Sequence, residues 1–265
     1  MPMLELQGLT RRFGPLIAVN DLHLSIDKAE MFALLGPNGA GKSTTIKMLT
    51  TLLAPSAGTA IVDGLDIVRQ PGAVRRIIGY VPQMLSADGT LTGMENLLVF
   101  AKLYDLPRRE RRERVWAALD FMGLSDASDR PVRQYSGGMI RRLEIAQSML
   151  HNPRVLFMDE PTVGLDPAAR RAVWDHIEEL RRRTGATIVL TTHQMEEADS
   201  LCDRIAIMHR GVRVAQGTPA ELKSSIGGNG TTLDDVFIHY TGSNLDSGGT
   251  YRETRRTRRR VRRLG

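Results

Sequence analysis

Cysteine is almost missing from this sequence: Cys202 is the only one in 265 residues. An internal disulfide is therefore impossible. Nothing argues for an oxidising compartment, and the cytoplasm is the expected setting. Long apolar runs are missing too, the longest being about five residues against the ~20 that a membrane-spanning helix needs. No charged start followed by an apolar core marks a secretory leader. The bulk of the chain also lacks a charge excess. The formal net charge is +6, but residues 250–265 hold eight arginines and one glutamate, so the other 249 residues sum to −1. The basic character belongs to a tail. What remains, with 42% hydrophobic and 25% charged residues, is ordinary globular composition. It suffices for one large domain, or for a main domain with a small appendage.

The stretch around which the rest is organised is Gly36, Pro37, Asn38, Gly39, Ala40, Gly41, Lys42, Ser43. It fills every fixed position of the phosphate-loop pattern G-x-x-x-x-G-K-[ST]. The apolar run 31–35 reads as a buried strand entering it, and 44–53, opening at Thr44, as a helix leaving it. A glycine-rich turn at a helix N-terminus aims successive N–H groups at one anion. Lys42 would reach the β- and γ-phosphates of a nucleoside triphosphate, and Ser43 would place its hydroxyl on Mg²⁺.

In chain order, Leu4, Glu5, Leu6 and residues 22–26 alternate as strands of an N-terminal antiparallel sheet, with 11–15 reading as a turn between them. Residues 59–62 and 77–81 read as further strands, the second stopped by Pro82. From Glu95 to Gly123 the pattern becomes helical, with a second helix expected from Pro107, so 84–134 reads as a helical insertion. A helix over 139–150 follows, with Ile140, Leu143, Ala146 and Leu150 on one face. Strand 155–158, helix 167–183 and strand 187–191 come next. Strands alternating with helices predict an α/β fold, a P-loop NTPase core with a largely parallel sheet whose ligand chemistry sits at the strand carboxyl ends.

Several candidate residues end predicted strands. Asp159 can hold Mg²⁺, while Glu160 can orient or deprotonate the attacking water. Gln83 can bridge the ion and the water, or be an ordinary loop glutamine. His193 can donate to the γ-phosphate, or be structural like the other five histidines. Ser136 is a good N-cap. With Gly137 and Gly138 it makes either a plain helix start or a second phosphate-binding surface, which one phosphate loop per chain would require only if it completes another subunit's site.

Taken together, the phosphate loop, Gln83, residues 135–139, 155–160, Gly164–Leu165–Asp166 and His193 resemble the ATP-binding-cassette (ABC) ATPases, over residues 4 to about 222. The resemblance implies ATP with Mg²⁺, Phe13 stacked on adenine, and a head-to-tail homodimer sandwiching nucleotide. In that dimer Ser136, Gly137 and Gly138 cap the γ-phosphate bound by the partner, and Asp166 lies in the segment coupling the two sites. Tyr135 and Met139 replace the Leu and Gln at the ends of the family's usual Leu-Ser-Gly-Gly-Gln signature. Residues 217–222 and 233–242 resemble the daunorubicin-resistance branch of bacterial exporters.

The expected division is an ATPase domain at 1–222, a small cap at 223–242 and a disordered arginine-rich tail at 243–265. That tail is either simply solvated or drawn to anionic lipid, at about 1 kcal/mol per basic residue. Nucleic acid is disfavoured, since only Tyr251 interleaves the arginines. With no spanning segment, an exporter needs a separate membrane permease, expected to dock on 84–105 with Glu95 as the probe, which puts the chain at the cytoplasmic membrane face. A soluble ABC ATPase acting on ribosomes or nucleic acid is the alternative. Only 52 residues separate Gln83 from Ser136, too few for a long coiled coil. A phosphate-loop kinase fits Glu160 and the Ser136 segment poorly.

Overall fold

The computed structural model describes residues 2–227 and 230–242; the arginine-rich tail lies outside them. The N-terminal part is an antiparallel sheet of β1 (Leu4–Phe13), β2 (Leu16–Ile26), β4 (Ala57–Val62) and β5 (Leu65–Asp66), in the order β2-β1-β4-β5. The second sheet contains β3 (Met31–Leu35), β6 (Ile78–Val81), β7 (Val155–Asp159), β8 (Thr187–Thr192), β9 (Arg204–His209) and β10 (Val212–Gly217). Its order is β10-β9-β3-β8-β7-β6, parallel except for β10. The mixed α/β class and the two sheet types match the sequence reading.

β3, β7 and β8 are buried along their whole length, as expected of strands covered on both faces. Alternation along β3 divides the interior. Phe32 and Leu34 join the core under the antiparallel sheet, while Met31, Ala33 and Leu35 join the helices on the other face. Those helices include α3 (Gly93–Leu103), α4 (Arg111–Phe121), α5 (Gly137–Met149), α6 (Pro167–Thr184) and α7 (Met195–Leu201), with α1 (Lys42–Leu49) and α2 (Pro71–Ile77) completing the core domain. At the C-terminal end of the described residues α8 (Pro219–Ile226) and α9 (Leu233–Thr241) bury Leu222, Leu233, Val236 and Phe237 in the core on the helical side. α8 runs across the boundary expected at 222. Among the described residues no helix is long and apolar enough to cross a membrane.

Several boundaries differ from the sequence reading. The turn expected over 11–15 shrinks to Gly14 and Pro15, because Arg11, Arg12 and Phe13 still pair with Val19, Ile17 and Leu16. The helix expected to reach residue 53 stops at Leu49, with Thr51 in a left-handed conformation at φ +61°. α4 starts at Arg111, one turn after Pro107, whose carbonyl first accepts from Glu110 N–H in a separate turn. α5 starts at Gly137, where Ser136 Oγ accepts from Met139 N–H at 3.3 Å. It also buries Arg141, Glu144, Ile145, Gln147 and Ser148, so the single face read from sequence is too narrow.

Candidate nucleotide site

Parallel register builds the site. Leu35 pairs with Thr192 and Asp159 with Thr191, so the carboxyl ends of β3, β7 and β8 meet at one edge of the sheet. Residues 36–41 leave β3 there and turn into α1. Gly41 adopts φ +102°, and a Cβ on it would lie 2.5 Å from the Ala18 carbonyl oxygen, so only glycine closes the loop against β2. No side chain caps α1, which leaves its first N–H groups open toward a cleft of about 360 Å³ lined by residues 38–44, Gln83 and Glu160. Open amides at a helix head fit an anion.

Lys42 is 4% exposed. Its Nζ donates to the carbonyls of Gly36 at 2.7 Å and Pro37 at 3.2 Å, and lies 3.3 Å from Glu160 Oε1. Burial holds the ammonium below its ordinary pKa, opposed by the Glu160 carboxylate. Ser43 Oγ and Thr191 Oγ1 both donate to Asp159 Oδ1, at 2.8 and 2.6 Å. Thr191 also holds the next residue: Glu160 N–H meets its Oγ1 at 3.0 Å and its carbonyl at 3.1 Å. Glu160 sits at φ +49°, a left-handed conformation that costs a non-glycine residue about 1–3 kcal/mol. That turn aims its carboxylate at three groups. Besides Lys42, Gln83 Nε2 donates to Oε2 at 3.1 Å, and His193 Nδ1 approaches Oε1 at 3.3 Å without an aligned hydrogen bond.

Among the described residues no cluster of three or more His, Cys, Asp or Glu side chains is placed to hold a metal ion. Ser43 and Asp159 offer two oxygens 2.8 Å apart beside the open amides. That donor set fits Mg²⁺, which takes few protein ligands and completes its shell with phosphate and water.

The other expected residues lie outside this cleft. Phe13 is 45% exposed at the end of β1, with the Arg11 guanidinium 4.6 Å from its ring centroid. Ser136, Gly137 and Gly138 begin α5 against the segment that precedes and opens α6. A Cβ on Gly137 would touch Leu165 at 3.4 Å, and one on Gly138 would touch Ala169 at 3.0 Å. Asp166 caps α6, its Oδ1 accepting from Ala168 and Ala169 N–H at 3.0 and 2.9 Å.

Several supporting residues escape the sequence reading. Thr191 is one. Buried Arg141 and Glu144 pair at 3.0 Å on α5, a spacing visible in sequence but ordinarily a surface feature. Burial pushes the Glu144 carboxyl up and the Arg141 guanidinium down. Removing either partner of such a pair costs about 3–5 kcal/mol. Buried Glu197 on α7 accepts from Thr162 Oγ1 at 2.7 Å and Trp174 Nε1 at 3.0 Å, joining the turn after Glu160 to α6.

A family model described as ABC transporter matches residues 19–163. The daunorubicin/doxorubicin resistance ATP-binding protein DrrA of Streptomyces peucetius is 47% identical over 226 residues, 85% of this chain and 68% of its own. The Nod factor export ATP-binding protein I of Ralstonia nicotianae is 44% identical over 83% of this chain and 68% of its own. A solved structure described as the dimeric post-hydrolysis state of the ATP-binding cassette MJ0796 bound to ADP and Pi superimposes with a TM-score of 0.72 at 27% identity. It covers 82% of this chain and 98% of its own.

Proposed function

The chain belongs to the ABC transporter family as an ATP-binding, ATP-hydrolysing subunit, and from that premise we propose that it powers export of a drug-like or other hydrophobic compound through a separate multi-span permease. The observation that carries the reading is the convergence of Lys42, Gln83 and His193 on the Glu160 carboxylate beside an open helix N-terminus. The direction of transport and the class of cargo follow the names of two relatives, one a drug-resistance protein and one an export protein.

In this proposal residues 36–44 bind the triphosphate, with Lys42 exchanging its carbonyl partners for the β- and γ-phosphates. Ser43, Gln83 and Asp159 hold Mg²⁺, which when bound neutralises phosphate charge. Glu160 accepts a proton from the attacking water, Gln83 orients that water, and His193 donates toward the γ-phosphate. Phe13 offers its ring to adenine. Two chains pack head to tail, so that Ser136, Gly137 and Gly138 of each complete the other's site and Asp166 lies between the sites. Residues 1–222 form the ATPase domain with 84–134 as a helical insertion, 223–242 a cap and 243–265 a tail drawn to anionic lipid.

The permease is proposed to dock on 84–105, where Met84 (83% exposed), Leu85, Val99 and Leu103 (70%) present apolar side chains to solvent. Glu95 is a poor probe of that contact. It closes a capping box, its Oε2 accepting from Thr92 N–H at 2.8 Å, so charge reversal there would damage α3 itself. Met84→Asp and Leu103→Asp are the cleaner variants.

The test is to recover tagged Glu160→Gln protein, with ATP and Mg²⁺, from detergent-solubilised membranes of the native host. A stoichiometric multi-span membrane protein is expected, lost in the Met84→Asp/Leu103→Asp variant. Recovery of ribosomes or nucleic acid without any membrane protein would overturn the transporter reading and put the chain at the membrane face in error.

A further inference from the structure

The segment carrying Gln83 has little holding it. It leaves β6 at Val81, and Met84 next to Gln83 is 83% exposed. Among the described residues no backbone–backbone hydrogen bond ties 82–87 to the rest of the chain. A side chain that must meet Glu160 within hydrogen-bond range thus sits on an unsupported loop, and its placement has to come from elsewhere.

It comes from α5. Arg141 Nη1 donates to the Pro82 carbonyl at 2.6 Å and Nη2 to the Gln83 carbonyl at 2.9 Å. The guanidinium fork thus grips two successive peptide units, a geometry that a point-like ammonium cannot copy. Glu144, one turn along, takes the other end. Its Oε1 accepts from Ser86 N–H and from Ser86 Oγ at 3.1 Å, while its Oε2 accepts from Arg141 Nη1 at 3.0 Å. Both side chains are at most 3% exposed, so solvent does not compete for these bonds. Arg141 lies five residues after Ser136 on the same rigid helix, about 7.5 Å along its axis.

We infer that Arg141 and Glu144 are positioning residues for hydrolysis: they hold the 82–86 loop so that Gln83 faces Glu160, and they fasten that loop to the helix headed by Ser136, Gly137 and Gly138. Neither touches the cleft, so they act through Gln83. The inference rests on the proposed role of Gln83 in orienting water. A small displacement of a positioning group is enough to slow a reaction substantially without weakening substrate binding.

The test is a double-mutant cycle on the full chain, measuring steady-state ATP hydrolysis for Gln83→Ala, Arg141→Lys and the combination. Lysine keeps the buried charge opposite Glu144 but cannot reach both carbonyls. Arg141→Lys is expected to lower kcat about 10-fold with KM changed by less than about twofold, and to change kcat by less than about twofold when Gln83 is already alanine. If Arg141→Lys fails to fold, Glu144→Gln takes its place in the same cycle. If Gln83→Ala slows hydrolysis but the second substitution still multiplies in full, or if Arg141→Lys leaves kcat unchanged, the positioning role falls while the Gln83 role stands. If Gln83→Ala itself hydrolyses ATP at the normal rate, both fall.

Discussion

Among single residues, Glu160 is the one on which the proposed hydrolysis depends most, because Lys42, Gln83 and His193 all approach its carboxylate. Its left-handed backbone and its double hold on Thr191 are features a surface glutamate has no reason to keep. Glu160→Gln preserves size and the capacity to pair with Gln83, but removes the carboxylate proposed as the base. Hydrolysis is therefore expected to slow by roughly 10²–10⁴, with ATP affinity retained and an ATP-bound dimer accumulating in light scattering. A variant that hydrolyses ATP at the normal rate would disprove the assignment. Lys42 differs in kind. Its ammonium is buried against two carbonyls and a carboxylate, and its proposed partners are the phosphates. Lys42→Ala should weaken nucleotide binding itself, read by titration with a fluorescent ATP analogue. Unchanged affinity would remove Lys42 from the phosphate site.

At the scale of elements, the helical part meets the core partly through His151. Its ring stacks on Tyr104 of the α3 C-terminus with centroids 3.8 Å apart, and its Nε2 donates to the Ile78 carbonyl at the start of β6 at 2.9 Å. Burial holds its pKa below the ordinary 6.5, against the pull of the Ile78 hydrogen bond. A depressed folded pKa means that the unfolded chain binds the proton more readily. The stability that His151 supplies is therefore complete above its ordinary pKa and drains away as pH falls below it. Urea midpoints should drop between pH 7.5 and 5.5, and His151→Phe, which keeps a stacking ring without titrating, should flatten that slope. His209, also depressed by burial, leaves a residual slope. An equally steep curve in His151→Phe would show that the stacked histidine is not the titrating group.

For the whole molecule, charge is segregated: the tail carries the basic excess, while the rest of the chain is close to neutral. On that distribution, the proposed attraction to anionic lipid would reside in residues 250–265 and would be screened by salt. Deleting them is expected to abolish low-salt cosedimentation with phosphatidylserine vesicles and to leave the ATPase rate unchanged. Undiminished cosedimentation would place the lipid contact elsewhere. The site is also divided at this scale. Lys42, Gln83, Asp159 and Glu160 come together within one chain, whereas Ser136 and its glycines pack beside Leu165 and Ala169 outside the cleft. A phosphate-binding role for them therefore needs a second copy.

Local chemistry made much of this legible from the chain alone. The phosphate loop, the acids ending an apolar strand and the Ser136 cap are each written in consecutive residues, because a turn, a strand end and a helix cap are short-range structures. Strand and helix alternation carried the parallel sheet, since covered strands must be apolar throughout. Tertiary structure alone decided which distant residues support those motifs. Thr191 serves Asp159 and Glu160 because β7 and β8 lie in one particular register. Arg141 and Glu144 look like a surface pair until the fold lowers residues 82–86 onto α5. Register and close packing are set by the whole core, and no stretch of sequence contains them.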